Sequence, residues 1–215
     1  MRTLYHIRNS PYSRRARLAL AHKGLACELK EVRETPSFAD EARGLVALKT
    51  FPVLKDGEHA MADSTAIMRW LDAAYPSAPR LWPEGDDAFL ALEVTSLVDA
   101  ALTGIVNSGV WYYPLREHAA WGTVTGEILG RVQRSLDAVA ARLGSLRRPT
   151  IAASGWSAAD MCLYTAVTWF EGMPERAKVS PNIAQILAVG GWTAPAPLRI
   201  WADAHRHRPD VVALG

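Results

Sequence analysis

The pattern of hydrophobic and polar positions changes about a third of the way along the chain. Up to residue 80, short runs that alternate apolar and polar residues are separated by amphipathic segments of helical spacing, which predicts the order β-α-β-α-β-β-α. From residue 86 onward, apolar residues recur only at helical spacing. This predicts helices at roughly 86–118, 120–146, 157–173, 181–189 and 195–207.

A proline-rich stretch separates the two patterns. Three prolines fall within the eight residues from Pro76 to Pro83, which is typical of a loop between two units. We therefore expect an α/β domain over residues 1–78, a linker over residues 79–86 and an all-helical domain over residues 87–215.

Composition narrows the class of protein. The chain has 215 residues, of which 49% are hydrophobic and 21% charged, and this ordinary globular composition excludes disorder as the dominant state. The net charge of +2 is too small to indicate a nucleic-acid partner. No apolar run reaches the roughly 18 residues that a membrane helix needs, and the N-terminus lacks the pattern of a signal peptide. We expect a cytoplasmic protein without a membrane partner.

The sequence offers few ligands for a metal ion. Its two cysteines, Cys27 and Cys162, cannot form a disulfide framework or a Cys-rich metal site. The histidines show no ligand spacing, since His205 and His207 are two residues apart and would not share a helix face. We expect no metal.

One helix start in the second half is unusually well specified. Ser157 at the N-cap and Asp160 at the third helical position can satisfy backbone N–H groups reciprocally, as in a capping box. Trp156 and Met161 stand where a hydrophobic staple would form. We interpret this motif as a folding signal without a chemical role.

The run Ser10-Pro11-Tyr12-Ser13 follows the first predicted strand and begins the first predicted helix. The first turn of a helix offers free N–H donors and the positive end of the dipole, so it can stabilise an anion such as a thiolate. Thiol redox proteins place Cys-x-x-Cys here, but this chain keeps the spacing with serine at both ends. Thiol–disulfide exchange is therefore excluded at this position, whereas a hydroxyl can still donate a hydrogen bond to a ligand's sulfur.

Two further motifs could bind a small ligand. Pro52, which opens a strand after Phe51, indicates an edge position, a cis-peptide turn or a simple loop proline. A turn would leave the Phe51 backbone free to pair with a ligand. Asp63 and Ser64 stand at a predicted helix start, where free N–H groups could bind a carboxylate and Asp63 an ammonium, although a plain helix cap is the simpler interpretation.

Together these three motifs resemble the glutathione-site motifs of the glutathione S-transferase family, in its serine-type form. The resemblance spans the chain, because Ser157-x-x-Asp160 matches the family's buried capping box and the end from Pro197 to Pro209 is similar to the usual family ending. It implies a thioredoxin-like α/β N-terminal domain plus an all-α C-terminal domain, the glutathione transferase fold. It also implies glutathione as co-substrate and a homodimer.

The resemblance implies a role for each matched residue. Ser10 would donate a hydrogen bond to the glutathione sulfur and act as the catalytic residue, with Ser13 as a second candidate. Residues implied in binding glutathione are Ser10, Tyr12, Ser13, Lys49, Phe51, Pro52, Asp63 and Ser64. Val46 to Lys49 depart from the family's common Asn-Pro-x-Gly stretch, and Asp63 replaces the commoner Glu or Gln.

The acceptor site is expected between the domains, against the first long C-terminal helix. The aromatic cluster there is either pocket wall or packing in the core or a dimer; the candidate pocket residues are Asn107, Trp111, Tyr112 and Arg116. We expect a detoxifying glutathione transferase whose thiolate attacks an electrophilic, apolar acceptor. The alternatives are a non-catalytic interaction or regulatory protein with this fold, and a glutathione-dependent isomerase or ether-cleaving enzyme.

Overall fold

A four-stranded sheet organises the first part of the chain. The computed structural model describes residues 1–212 and Leu214. The strands lie in the order β2-β1-β3-β4, with β1 parallel to β2 and antiparallel to β3, and β3 antiparallel to β4. Their bounds are β1 (Arg2–His6), β2 (Glu28–Glu31), β3 (Val53–Asp56) and β4 (His59–Ala62).

Three helices cover this sheet, and the predicted order of elements is confirmed. They are α1 (Pro11–His22), α2 (Pro36–Leu45) and α3 (Ser64–Ala74). Successive strand residues point to opposite faces of the sheet. Leu4 and Leu54 are therefore buried in the core that holds α1 and α3, whereas Tyr5 and Val53 are buried with the apolar residues of α2. The result is a thioredoxin-like α/β layer.

The rest of the described chain is almost entirely helical. The helices are α4 (Asp86–Val106), α5 (Trp121–Ser145), α6 (Ala158–Glu171), α7 (Met173–Ala177), α8 (Pro181–Val189), α9 (Ala196–Ala204) and α10 (Pro209–Val212). The predicted helices at 120–146, 157–173, 181–189 and 195–207 are confirmed within a few residues. The sequence pattern missed α7 and α10, because four or five residues are too few to show a helical period.

The first helix of this domain is shorter than predicted. The prediction of 86–118 was wrong beyond Val106, where the chain forms a π-helical turn (Asn107–Trp111) and then a 3₁₀ turn (Tyr113–Leu115). Asn182 of α8 donates to the Gly109 carbonyl at 2.8 Å, and a Cβ at Gly109 would lie 2.5 Å from Ile186 Cδ1. Close approach of α8 thus accompanies the change in helical pitch.

The segment from Asp86 to Trp111 is long and apolar enough to cross a membrane by length and composition alone. The sequence analysis did not identify this segment, because polar residues interrupt its apolar residues. Packing accounts for part of this apolar character, since Val94, Val98 and Leu102 of α4 are fully buried in the core shared with α5 and α6.

Asp72 of α3 fixes the proline-rich segment between the two domains. Lys23 Nζ, at the end of α1, donates to Asp72 Oδ1 at 2.9 Å and to the Pro79 carbonyl at 3.0 Å. The backbone N–H groups of Leu81 and Trp82 also donate to the Asp72 carboxylate, at 2.9 and 2.8 Å. The segment is therefore hydrogen-bonded to the α/β domain.

The predicted capping box at the start of α6 is confirmed. The Asp160 side chain is fully buried and accepts hydrogen bonds from Ile151 N, Ser157 N and Ser157 Oγ, at 2.9, 2.9 and 2.6 Å. Trp156 stacks on Trp201 of α9 with ring centroids 5.9 Å apart. One carboxylate thus joins the loop before α6 to the helix itself.

Replacing Asp160 by alanine leaves three buried donors without an acceptor, and we expect a loss of about 3 kcal/mol in the free energy of unfolding. For a chain of this size the melting temperature then falls by about 6–12 °C, as scanning calorimetry would measure. Asp203→Ala is the control, because Asp203 is exposed and its carboxylate pairs with Arg206 one turn away. Equal losses in the two variants would contradict the structural role of Asp160.

Candidate functional site

The strand register brings the three sequence motifs to one end of the sheet. Val53, the first residue of β3, pairs with Tyr5 of β1 and with Ala62 of β4. The loop that leads from β1 to Ser10, the Phe51–Pro52 bond and Asp63 therefore lie next to one another, although they are far apart in sequence. This end of the sheet is the candidate site.

Ser10 is the N-cap of α1, with Pro11 at the first helical position as predicted. Its Oγ accepts a hydrogen bond from Ser13 N at 3.4 Å, and its own N–H donates to the Ile7 carbonyl at 3.0 Å. The side chain is half-buried. Since the hydroxyl acts as acceptor toward the helix, its O–H can still donate to a ligand in front of the helix dipole.

Ser13 differs sharply from Ser10. Its side chain is fully buried, and its Oγ accepts a hydrogen bond from Ile7 N at 3.1 Å. This hydroxyl therefore joins α1 to the end of β1. Of the two serines, Ser10 is the one that keeps exposed surface.

The Phe51–Pro52 peptide bond is cis, which is one of the three conformations that the sequence allows for Pro52. Pro52 is buried and Phe51 half-buried, at the point where the exposed loop after α2 enters β3. Lys49 lies in that loop and is exposed. The turn puts the Phe51 backbone at the end of the sheet, beside the loop that precedes Ser10.

Asp63, rather than Ser64, caps α3. Its Oδ1 accepts hydrogen bonds from Thr65 N and Ala66 N, both at 2.9 Å, while the residue itself remains exposed. Ser64 is buried. Asp63 is also the one non-glycine residue with positive φ (78°) in the part of the chain that the structure describes. Such backbone conformations cost energy and are frequent at functional sites.

Two side chains of α1 reach across to α4. The Tyr12 hydroxyl lies 3.2 Å from Thr103 Oγ1, and Arg15 Nη1 donates to Asp99 Oδ1 at 2.7 Å. Arg15 is completely buried and its guanidinium lies 5.1 Å from the Tyr12 ring centroid. Burial raises the pKa of the Tyr12 phenol, which therefore stays protonated at neutral pH.

Sequence reasoning did not identify Thr103 or Asp99. Both stand on α4, four residues apart, among mostly apolar residues. Polar residues at this spacing share a helix face, so the pattern could have indicated a polar stripe. Nothing in the sequence indicated that this stripe lies opposite the start of α1.

The predicted pocket residues lie around the end of α4. Asn107 is half-buried, whereas Trp111 and Tyr112 are exposed, so these two aromatic residues do not form core. Arg116 is exposed, with its guanidinium 4.6 Å from the Tyr113 ring centroid and its Nε 3.4 Å from a Glu117 oxygen. Their role as pocket wall stays a prediction.

The two cysteines are poor nucleophiles. Burial raises the pKa of the Cys27 thiol to about 11 and that of the Cys162 thiol to about 12, so both are protonated at neutral pH. Within residues 1–212 and Leu214, no group of three or more His, Cys, Asp or Glu side chains is arranged to hold a metal ion.

The Arg15–Asp99 pair allows a stability test. Asp99→Ala leaves a buried guanidinium unpaired, and we expect a loss of about 2–3 kcal/mol, reduced from the usual cost because Asp99 is 33% exposed. Arg15→Met removes the buried cation and fills the space, so it is expected to cost less. Urea unfolding of both variants and of the double variant measures the difference. A larger loss for Arg15→Met would show that packing, rather than charge, matters there.

Known proteins resemble this chain in sequence over part of its length. Residues 4–79 match the family model "Glutathione S-transferase, N-terminal domain". A glutathione S-transferase of Triticum aestivum is 31% identical over 107 residues, which are 50% of this chain and 49% of that protein. A probable glutathione S-transferase of Oryza sativa is 27% identical over 134 residues, 59% of this chain and 58% of that protein. The chain thus spans about half the length of the curated relatives it matches.

Solved structures match over almost the whole chain. A glutathione S-transferase of Methylobacterium radiotolerans, in complex with glutathione sulfonate, has a TM-score of 0.73 at 24% identity. The alignment covers 99% of this chain and 93% of that protein's chain. One from Methylobacillus flagellatus with bound glutathione has a TM-score of 0.74 at 19% identity, covering 100% and 99%. These show the glutathione transferase fold. In sequence, the part that matches the family model is residues 4–79, so the α/β part of the chain is similar to the N-terminal domain of glutathione S-transferases.

Proposed function

We propose that the chain is a glutathione transferase, which binds glutathione at the end of the sheet and uses its thiolate against an electrophile. The observation that carries this proposal is the convergence of Ser10, the cis Phe51–Pro52 turn and Asp63 at one end of the sheet. The match of residues 4–79 to the N-terminal domain of glutathione S-transferases supports it, as do the structurally similar proteins solved with glutathione or glutathione sulfonate bound.

Each group at the site has a proposed task. The Ser10 O–H donates to the sulfur, with Tyr12 as its neighbour, while Ser13 acts through the backbone of the β1–α1 loop. The Phe51 backbone pairs with the cysteinyl unit, and Lys49 meets the glycyl carboxylate. The exposed Asp63 carboxylate binds the γ-glutamyl ammonium, beside Ser64.

The chemical contribution of Ser10 is to favour the thiolate. A free thiol has a pKa of about 8.5, so only a few per cent is ionised at neutral pH. A hydroxyl donor at a helix N-terminus stabilises the anion, and the thiol proton goes to solvent. The thiolate then forms the S–C bond as the bond to the leaving group breaks, and the leaving group departs with that electron pair. Positioning of both reactants supplies the remaining acceleration.

Replacing Ser10 by alanine removes the proposed donor. A hydrogen bond to a charged group contributes about 1.5–3 kcal/mol, so we expect kcat/KM to fall by about 10- to 150-fold, and the pKa of the bound thiol to rise by about 1–2 units. Conjugation of 1-chloro-2,4-dinitrobenzene and ultraviolet titration of the bound thiolate measure these two quantities.

Ser13→Ala is the matched control for this variant. It leaves the Ile7 N–H without its acceptor and should lower stability by about 1 kcal/mol while leaving the thiol pKa near the wild-type value. If the thiol pKa rises in Ser13→Ala and not in Ser10→Ala, the assignment of the donor is wrong. Glutathione binding without turnover of any electrophile would favour the non-catalytic alternative.

Asp63→Asn separates the charge of Asp63 from its capping role. The amide oxygen can still accept from Thr65 N and Ala66 N, so the melting temperature should change by less than about 2 °C. Loss of the carboxylate should raise the Kd for glutathione about 5- to 10-fold, as calorimetry would measure. Asp40→Asn, at an exposed pair with Arg43, is the control. An unchanged Kd in Asp63→Asn would contradict the proposed ammonium contact.

We also propose a cytoplasmic homodimer that acts in detoxification, with domains over 1–78 and 87–215 joined by residues 79–86. The unpaired cysteines suit a reducing compartment. Phe89 and Leu92, exposed one turn apart near the start of α4, are apolar surface that a second copy could cover.

A further inference from the structure

We propose that the acceptor carries hydrogen-bonding groups close to its electrophilic carbon, in place of the wholly apolar acceptor that the sequence predicts. The inference rests on the proposed function, since it concerns the molecule that meets the glutathione thiolate. The feature that carries it is one surface stripe of α4, which opposes the start of α1.

This stripe changes character along the helix. Its residues recur every three or four positions, so they lie on one face. Near the start of α4 the stripe is apolar, with Phe89 72% exposed and Leu92 47% exposed. In the second half it contains only polar residues, which are all exposed or half-buried: Ser96, Asp99, Thr103 and Asn107.

Contacts with α1 show which half faces the candidate site. Asp99 accepts from Arg15, and the Thr103 hydroxyl meets that of Tyr12, two residues after Ser10. Asn107 follows Thr103 by four residues, and its backbone is still helical (φ −63°, ψ −44°). The polar half of the stripe is therefore the part of α4 that opposes the N-terminus of α1.

The chemistry of this half selects the acceptor. A threonine hydroxyl and an asparagine amide each offer both a donor and an acceptor. An apolar substituent pressed against them would remove their water without replacing its hydrogen bonds, which disfavours binding. A carboxamide, carbonyl or hydroxyl group on the acceptor would replace those bonds. The exposed Trp111 and Tyr112, which follow Asn107 in the chain, can contact an attached aromatic ring.

Product conjugates test this preference without requiring turnover. Calorimetry would compare S-benzylglutathione with the ortho, meta and para isomers of S-(carbamoylbenzyl)glutathione, with glutathione itself as reference. We expect at least one carboxamide isomer to bind the wild-type protein about 3- to 10-fold more tightly than S-benzylglutathione. Thr103→Val and Asn107→Leu should each reduce that ratio toward one while the Kd for glutathione stays within twofold.

A further variant separates a direct contact from a general effect of the substitution. Thr123→Val changes an exposed threonine on α5 and should keep the preference. Circular dichroism checks that each variant folds. If the Asn107 variant does not fold, the result for Thr103→Val tests the inference, because Thr103 is exposed and its substitution should not prevent folding.

The outcomes distinguish this inference from the function on which it rests. Equal affinity for S-benzylglutathione and all three isomers, or a preference that survives both Thr103→Val and Asn107→Leu, overturns the inference and leaves the glutathione site standing. Binding of glutathione without binding of any conjugate also overturns it. If glutathione itself does not bind, the proposed function and the inference both fail.

Discussion

The position of α4 beside the candidate site depends on the ion pair between Arg15 and Asp99. Arg15 is completely buried, and its contact with Asp99 joins the helix that begins after Ser10 to the first long helix of the second domain. A buried guanidinium is costly to leave unpaired, so this pair constrains where α4 can lie. Tyr12 and Thr103 make the same connection one turn closer to Ser10. The helix opposite the candidate site is therefore held in place by charge as well as by apolar packing.

The site itself depends on the ends of elements rather than on their interiors. Ser10 and Asp63 are both N-caps, and the Phe51–Pro52 turn lies just before a strand. Backbone N–H groups and short polar side chains supply the interactions, while the sheet register supplies the alignment. Groups of this kind suit glutathione, the peptide-like ligand of the proposed function, because they can pair with its backbone groups and charged ends.

Much of this arrangement could be predicted from the sequence because its signals are local. Ser10 before Pro11, and Ser157 with Asp160, each act through neighbouring backbone groups. For Pro52 the sequence left an edge position, a cis-peptide turn and a simple loop open, and the structure has the cis bond. The difference in burial between Ser10 and Ser13 could not be predicted, since it depends on how α1 packs against the end of β1. For the same reason the polar stripe on α4 and the π-helical turn near Gly109 emerged only from the packed structure: their partners lie about 70 to 90 residues away in sequence.

The hydrogen bonds of Asp72 change the meaning of the proline-rich segment. A proline-rich segment between domains is usually a flexible linker. Here the Asp72 carboxylate accepts hydrogen bonds from two backbone N–H groups of the segment and from the buried Lys23 at the end of α1. The segment also accepts a hydrogen bond from the helical domain, since Ala158 N at the start of α6 donates to the Leu81 carbonyl at 2.7 Å. The segment is thus hydrogen-bonded to both domains, and a shift of one domain against the other would have to break these hydrogen bonds.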